Sequence, residues 1–237
     1  MQRKRRKYRQ APPPPKDDGS YILVKTKEGP YWRRKRGTVK IARLNDVFGA
    51  NAAATAIASP AAKKILDRLQ PYLSGLNTGR FIANVSARLK QSLAGSGELN
   101  FSFLEDYDLQ PDWPLSSFLR SACSVNEQPD ELIVQIPIDQ YTIKVNRRRV
   151  SGYYFDAVLL YGDLKKKNGL KTESETSPLY PIDEGFKANC RLSLILPAKN
   201  LPWILFLKLS CVEGNRPAVH PKYYGMKVIR VTKPAKS

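Results

Sequence analysis

The 237 residues carry 42% hydrophobic and 10% aromatic side chains, enough to bury a core and too many for a wholly disordered chain. Forty Lys and Arg against 21 Asp and Glu leave a formal net charge of +19, a field that draws polyanions such as nucleic acid or an anionic surface. Three cysteines, Cys123, Cys190 and Cys211, are an odd number without C-x-x-C spacing; they argue against a disulfide framework or a zinc ribbon and for a reducing, cytoplasmic setting.

The excess charge is concentrated at the front of the chain. Arg3, Lys4, Arg5, Arg6, Lys7 and Arg9 crowd the first ten residues, and APPPP follows at once. Like charges this dense are not buried unpaired, so residues 1–20 are expected to form a flexible basic arm with polyproline II character at Pro12 to Pro15. From Met1 to Arg43 there are fifteen Lys or Arg against Asp17, Asp18 and Glu28, a balance of +12, which leaves +7 for the remaining 194 residues. Residues 21–44 form a second basic, extended segment: YILVK, a turn at Glu28-Gly29-Pro30, then YWRRKRGTVKIARL, in which Val39 and Ile41 alternate with Lys40 and Arg43.

Residues 45–97 change period. Asp46 caps an alanine-rich helix running toward Ile57, and Ser59-Pro60 starts a second, with Ile65, Leu66, Leu69, Tyr72 and Leu73 on one face and Pro71 ending it. After Ser74-Gly75-Leu76-Asn77, Ile82, Val85, Leu89 and Leu93 mark another amphipathic helix, stopped at GSG 95–97, so a helical hairpin is expected. Residues 98–131 read as transition loops. From Leu132 the period becomes two, or the runs are apolar on both faces, predicting strands near 132–138, 141–147, 153–161, 188–196, 203–212 and 223–232, with a long polar loop at 162–187. Pro137 argues that the first of these is a sheet edge. Consecutive strands without helical crossovers make an antiparallel sheet, so the fold class is α+β, with a basic arm, a short helical hairpin and a β-sandwich over 132–237. The most apolar stretch, LPWILFLKLSCV, is interrupted by Lys208 and falls short of the ~20 residues that span a bilayer. APPPPKDDG stands where the apolar region of a secretory signal would be.

Catalytic chemistry is thinly supplied. His220 is the single histidine and sits in a turn before the last strand, so a triad, a two-histidine metal site or a proton relay has no visible partners. Glu105, Asp106 and Asp108, with Asp112 close behind, match no EF-hand spacing and read as turn chemistry or as an internal dock for the arm. No phosphate-binding glycine loop occurs, and no catalytic residue, metal or cofactor is assigned. What remains are basic clusters beside aromatics. Arg3 to Arg9 lie beside Tyr8; Arg33, Arg34, Lys35 and Arg36 follow Tyr31 and Trp32; Arg147, Arg148 and Arg149 join two predicted strands. Lysine and arginine neutralise phosphates, and an aromatic such as Trp32 stacks on an unpaired base. Lys165-Lys166-Lys167, at the head of the polar loop, reads as solvated surface.

The stretch RRKRGTVKIARLND…SPAAKKILDRLQPYLSGLNTGR, within residues 33–80, resembles uncharacterised proteins of Bacteroidetes bacteria, in which a basic segment precedes SPAA and a helical pair ending in GR. The resemblance implies a bacterial cytoplasmic setting or a mobile-element origin, and transfers no catalytic or binding residue. The expected function is that of a non-enzymatic protein binding nucleic acid or another polyanion through its arm, without sequence specificity. A self-assembling, coat-like homo-oligomer with a nucleic-acid-binding arm is a second reading. A third is a protein-interaction module that uses the sheet edge near Ile133 to Ile138, or the helical hairpin, as its working surface.

Overall fold

The structure, a computed structural model, describes residues 13, 21–26, 29–34, 46–145, 149–166, 168–182, 185–197, 201–214 and 216–232. The expected arm, apart from Pro13, lies outside the described residues, as do Val39 and Ile41. The chain divides into two compact units, Met1–Asn51 and Ala52–Ser237.

In the first unit, β1 (Tyr21–Thr26) pairs antiparallel with β2 (Gly29–Arg34), from Tyr21 opposite Arg34 to Thr26 opposite Gly29. The expected turn is shorter than Glu28-Gly29-Pro30, because Gly29 and Pro30 already belong to β2. Gly29 takes φ 133°, its carbonyl accepts from Thr26 Oγ1 at 2.7 Å, and a proline is tolerated this close to the start of an edge strand.

The helix α1 (Asp46–Leu69) spans the division in sequence, and here one expectation is corrected: Ser59-Pro60 starts no helix but lies inside this one. An interior proline costs about 3 kcal/mol. Alanine, the residue that fits a helix at least cost, dominates both sides of it, and Ala58, Ala61, Ala62, Ile65 and Leu69 form a fully buried stripe whose burial offsets that cost. A 3-10 turn at Gln70–Tyr72, containing Pro71, ends the run. The helix α2 (Phe81–Ser96) buries Phe81, Val85, Ser86, Leu89 and Ser92, so its stripe is rotated from the expected one. Ile82 is exposed, and Phe81 takes its place by packing edge-on to Tyr107, with ring centroids 6.5 Å apart. Gly97, at φ 72°, ends α2 and donates its N–H to Leu93 O.

Nine strands follow: β3 (Ser124–Glu127), β4 (Glu131–Ile138), β5 (Gly152–Gly162), β6 (Leu170–Thr176), β7 (Tyr180–Pro181), β8 (Ala188–Ile195), β9 (Trp203–Glu213), β10 (Arg216–Pro217) and β11 (Tyr224–Val231). In the larger sheet β5 and β9 pair along their length, β6 and β7 flank β5, and β10 and β11 flank β9. The smaller sheet has the order β3-β4-β8, and every pairing is antiparallel. The described residues thus hold two helices and eleven strands in three sheets, an α+β mixture. None of the helices among them is long and apolar enough to cross a membrane.

Strand parity sorts the buried residues into two clusters. Trp203, Leu205, Leu207, Leu209 and Cys211 of β9 join Leu132, Val134 and Ile136 of β4 and Cys190, Leu192 and Leu194 of β8. Ile204 and Phe206, with Val158 and Leu160 of β5, join Ala58, Ile65, Leu89 and their neighbours on the helices. Covered on both faces, β9 reads as a nearly unbroken apolar run.

Three further expectations are corrected. Of the strand expected over 141–147, the described residues 141–145 form none; Ile143 makes one isolated bridge to Leu119, and Asn146 and Arg147 lie outside the described residues. Asp139 and Thr142 side chains capture the local amides instead: Asp139 Oδ1 accepts from Tyr141 N and Thr142 Oγ1 from Asp139 N, each at 2.7 Å. The strand β4 lies between β3 and β8, which corrects the expected edge over Leu132 to Gln135; from Ile136 to Ile138 only β8 pairs with it. Pro137 is accommodated because β3 pairs only as far as Gln135; beyond it, Thr142 Oγ1 donates to Pro137 O at 3.3 Å. Finally, the polar loop 162–187 contains β6 and β7, whose alternating Lys, Thr, Glu and Ser side chains conceal a half-exposed strand.

All three thiols are free, and Cys190 and Cys211 are buried. Burial pushes the Cys123 thiol up to about 11 and Cys211 up to about 12, and Tyr180 shifts in the same direction. Each folded value lies above its unfolded value, so the stabilisation is complete below the ordinary thiol value of 9.0 and is lost as pH rises through the folded values. The melting temperature is therefore expected to fall progressively above pH ~9. In a Cys123→Ser chain that fall should be shallower, as followed by circular dichroism; an identical alkaline profile would remove Cys123 from the account.

Candidate polyanion interface

Of the fourteen residues expected to contact an anion, the described part contains Trp32, Arg33, Arg34 and Arg149; Arg3, Lys4, Arg5, Arg6, Lys7, Arg9, Lys35, Arg36, Arg147 and Arg148 lie outside it. Arg33, Arg34 and Arg149 are exposed and Trp32 is half-buried. Strand alternation divides what looks in sequence like one cluster. The cross-strand pairs Tyr21–Arg34 and Leu23–Trp32 share one face of the hairpin, whereas Ile22–Arg33 and Val24–Tyr31 share the other. On the first face Arg34 Nε donates to Tyr21 Oη at 3.0 Å and its guanidinium carbon lies 5.6 Å from the Tyr21 ring centroid. That arrangement holds a planar cation against an aromatic ring beside Trp32. Arg33 points its charge the opposite way, with Tyr31.

The acidic cluster is built into turns. Asp106 adopts φ 61° and pairs with Lys227 Nζ at 3.0 Å, while its N–H donates to Val228 O at 3.1 Å. Leu109 N donates to Met226 O and Val228 N to Tyr107 O, so residues 106–109 lie along the outer edge of β11 and close it to further strands. Asp108 Oδ1 accepts from Leu115 N at 2.8 Å, and burial raises its carboxyl above the usual range. Asp112 is exposed. Among the described residues no group of three or more His, Cys, Asp or Glu is placed to hold a metal ion. His220 caps a 3-10 turn, with Nδ1 accepting from Lys222 N at 3.1 Å and its ring edge-on to Trp113.

Three features are not signalled by the sequence. Gln110 is buried and staples three segments: its Oε1 accepts from Asn77 N at 2.7 Å, and its Nε2 donates to Pro221 O at 2.9 Å and Tyr224 O at 3.2 Å. Lys208 and Asp156 are both buried and stand directly opposite on β9 and β5. Lys64, on α1, bonds the turn that carries Lys165 and Lys166. Each depends on partners 33 to 114 positions away in sequence, or on a strand register, which no local pattern encodes.

Comparison with protein-family models gave no match, and comparison with curated proteins gave none either.

Proposed function

We propose that this chain is a non-enzymatic, cytoplasmic protein that binds nucleic acid or another polyanion through its basic N-terminal region, without sequence specificity. The observation that carries this reading is the placement of +12 of the +19 net charge in the first 43 residues. Charge confined to one end is the electrostatic footprint of phosphate neutralisation, and contacts of that kind position a chain on a nucleic acid without reading bases. The exposed Arg33 and Arg34, on opposite faces of the β1–β2 ribbon, extend the basic surface past the arm. The body that carries the arm is read as a helical hairpin on an antiparallel β-sandwich, supported by the two buried clusters on opposite faces of the larger sheet.

Retention on heparin and binding of a labelled oligonucleotide should both fall steeply with added salt, because each lysine or arginine bound to phosphate releases a counterion. Deleting residues 1–20 removes Arg3, Lys4, Arg5, Arg6, Lys7, Arg9 and Lys16 and should abolish most of the affinity. The slope of log affinity against log salt should drop by about 0.7 to 0.9 for every phosphate that the shortened chain no longer neutralises. Unchanged affinity and slope after the deletion would exclude the arm as the binding element.

A further inference from the structure

The β5–β6 connection is a lysine-bearing turn whose conformation is fixed from beneath. Asp163 Oδ1 accepts from Lys165 N at 2.7 Å, Asp163 N donates to Gly169 O at 3.1 Å, and Gly169 N donates to Lys166 O at 3.3 Å. Leu164 turns inward and is buried in the cluster shared with the helices. The backbone carbonyls of Leu164, Lys165 and Lys166 converge on one donor, Lys64 Nζ of α1, at 2.8, 3.3 and 3.0 Å. A single ammonium therefore uses all three of its protons on the backbone of the turn.

This arrangement sets a further positive charge under a turn whose sequence is Lys165-Lys166-Lys167, of which Lys167 lies outside the described residues. Lys165 and Lys166 are exposed. Lys165 pairs with Glu98 at 3.6 Å, with both side chains mostly exposed, a contact of the weakly stabilising surface kind. Asp163 is already engaged by the backbone of the turn. With the backbone of Leu164, Lys165 and Lys166 held in this way, only the lysine side chains have freedom left to lose on meeting a ligand, which lowers the cost of contact.

We propose that the β5–β6 turn, held by Lys64, is a second phosphate-contacting element that binds the sugar–phosphate backbone of a nucleic acid. The proposal rests on the polyanion-binding reading above and adds a site in the second unit to it. The turn sequence from Asp163 to Gly169 contains no aromatic residue to stack on a base, which points to backbone contact indifferent to sequence. Its one large apolar side chain, Leu164, is buried, so the turn offers nothing to insert into a lipid surface.

The test uses the full-length chain and a fluorescein-labelled oligothymidylate, with binding followed by anisotropy across a salt series. Lys165→Glu/Lys166→Glu is compared with Lys144→Glu/Arg216→Glu, which changes two other exposed cations and gives the same net charge. The turn variant should bind roughly tenfold more weakly than the control variant, with the log–log salt slope lowered by about 1.4, the equivalent of two phosphates on a single strand. Lys166→Glu alone, leaving the Glu98 pair intact, should give about half that change in slope; it serves as the readout if the double variant melts early. Equal loss in the turn and control variants would assign the effect to bulk charge and overturn the proposal, as would no loss in either. Failure of the unsubstituted chain to bind would overturn both readings. Strong dependence on residues 1–20 with no effect of the turn would sink this one alone. Full oligonucleotide affinity in the turn variant, with loss only on anionic vesicles, would also overturn it in favour of a lipid surface.

Discussion

Gly162→Ala is expected to lower stability by about 3 kcal/mol or more, read as a shift of the denaturant midpoint at constant slope. Gly162 adopts φ 120°, a region that side-chain-bearing residues avoid, at the end of β5. A Cβ there would stand 1.9 Å from Gly169 O, a backbone atom that cannot rotate away. The approach is reciprocal, since a Cβ on Gly169 would stand 2.1 Å from Asp163 O. Gly214→Ala supplies the comparison: its φ is 62° but nothing lies within 4 Å of the added carbon, so only the conformational cost of about 1 kcal/mol is expected. If both substitutions cost the same, the close approach across the β5–β6 turn is wrong, and with it the rigidity assigned to the lysine turn.

Asp156→Leu should be nearly as damaging, at about 3 kcal/mol, because it strands the Lys208 ammonium inside the sheet. Lys208 is 4% exposed and faces Asp156 across the β5–β9 ladder, with its Nζ 5.7 Å from the Tyr224 ring centroid. Lys208→Met should cost less, since Asp156 Oδ1 keeps the Thr176 hydroxyl at 2.7 Å. The double variant should cost less than the sum of the two single variants, giving a coupling energy of about 1–2 kcal/mol in a double-mutant cycle. Strict additivity would show that the two charges act independently. Burial lowers the Lys208 pKa, opposed by the Asp156 charge. With the folded value below the unfolded value of 10.5, the unfolded chain binds more protons between them, so this group's contribution grows as pH rises toward 10.5. It runs against the thiols, and Lys208→Met should steepen the alkaline loss of stability.

The strands that read most clearly from sequence are those with the most apolar character. The runs 203–212, 153–161 and 188–196 match β9, β5 and β8 to within a residue or two because their side chains are buried and the pattern is unambiguous. The strand β6 is hidden because LKTESET buries only Leu170 and leaves the rest half-buried or exposed, so its polar residues resemble a loop. Pro60 misleads in the opposite direction. Locally Ser-Pro is a start signal, but the burial of the stripe around Ala58, Ala61 and Ala62 outweighs it. At the candidate interface, composition identifies the basic residues, but only the β1–β2 register separates Arg33 from Arg34. The seat of Lys165 and Lys166 requires knowing that α1 passes beneath a turn about a hundred residues later, to which Lys64 Nζ donates.

The enclosure of β9 sets how this unit opens. Its amides pair with β5 on one side and with β10 and β11 on the other, while its side chains are roofed on both faces. No partial opening that lifts off one layer uncovers that ladder, so hydrogen exchange along Ile204 to Cys211 should occur only through global unfolding and be the slowest in the protein. The same strand must find β5 across some forty intervening residues before either layer can settle, so this pairing is expected to slow folding.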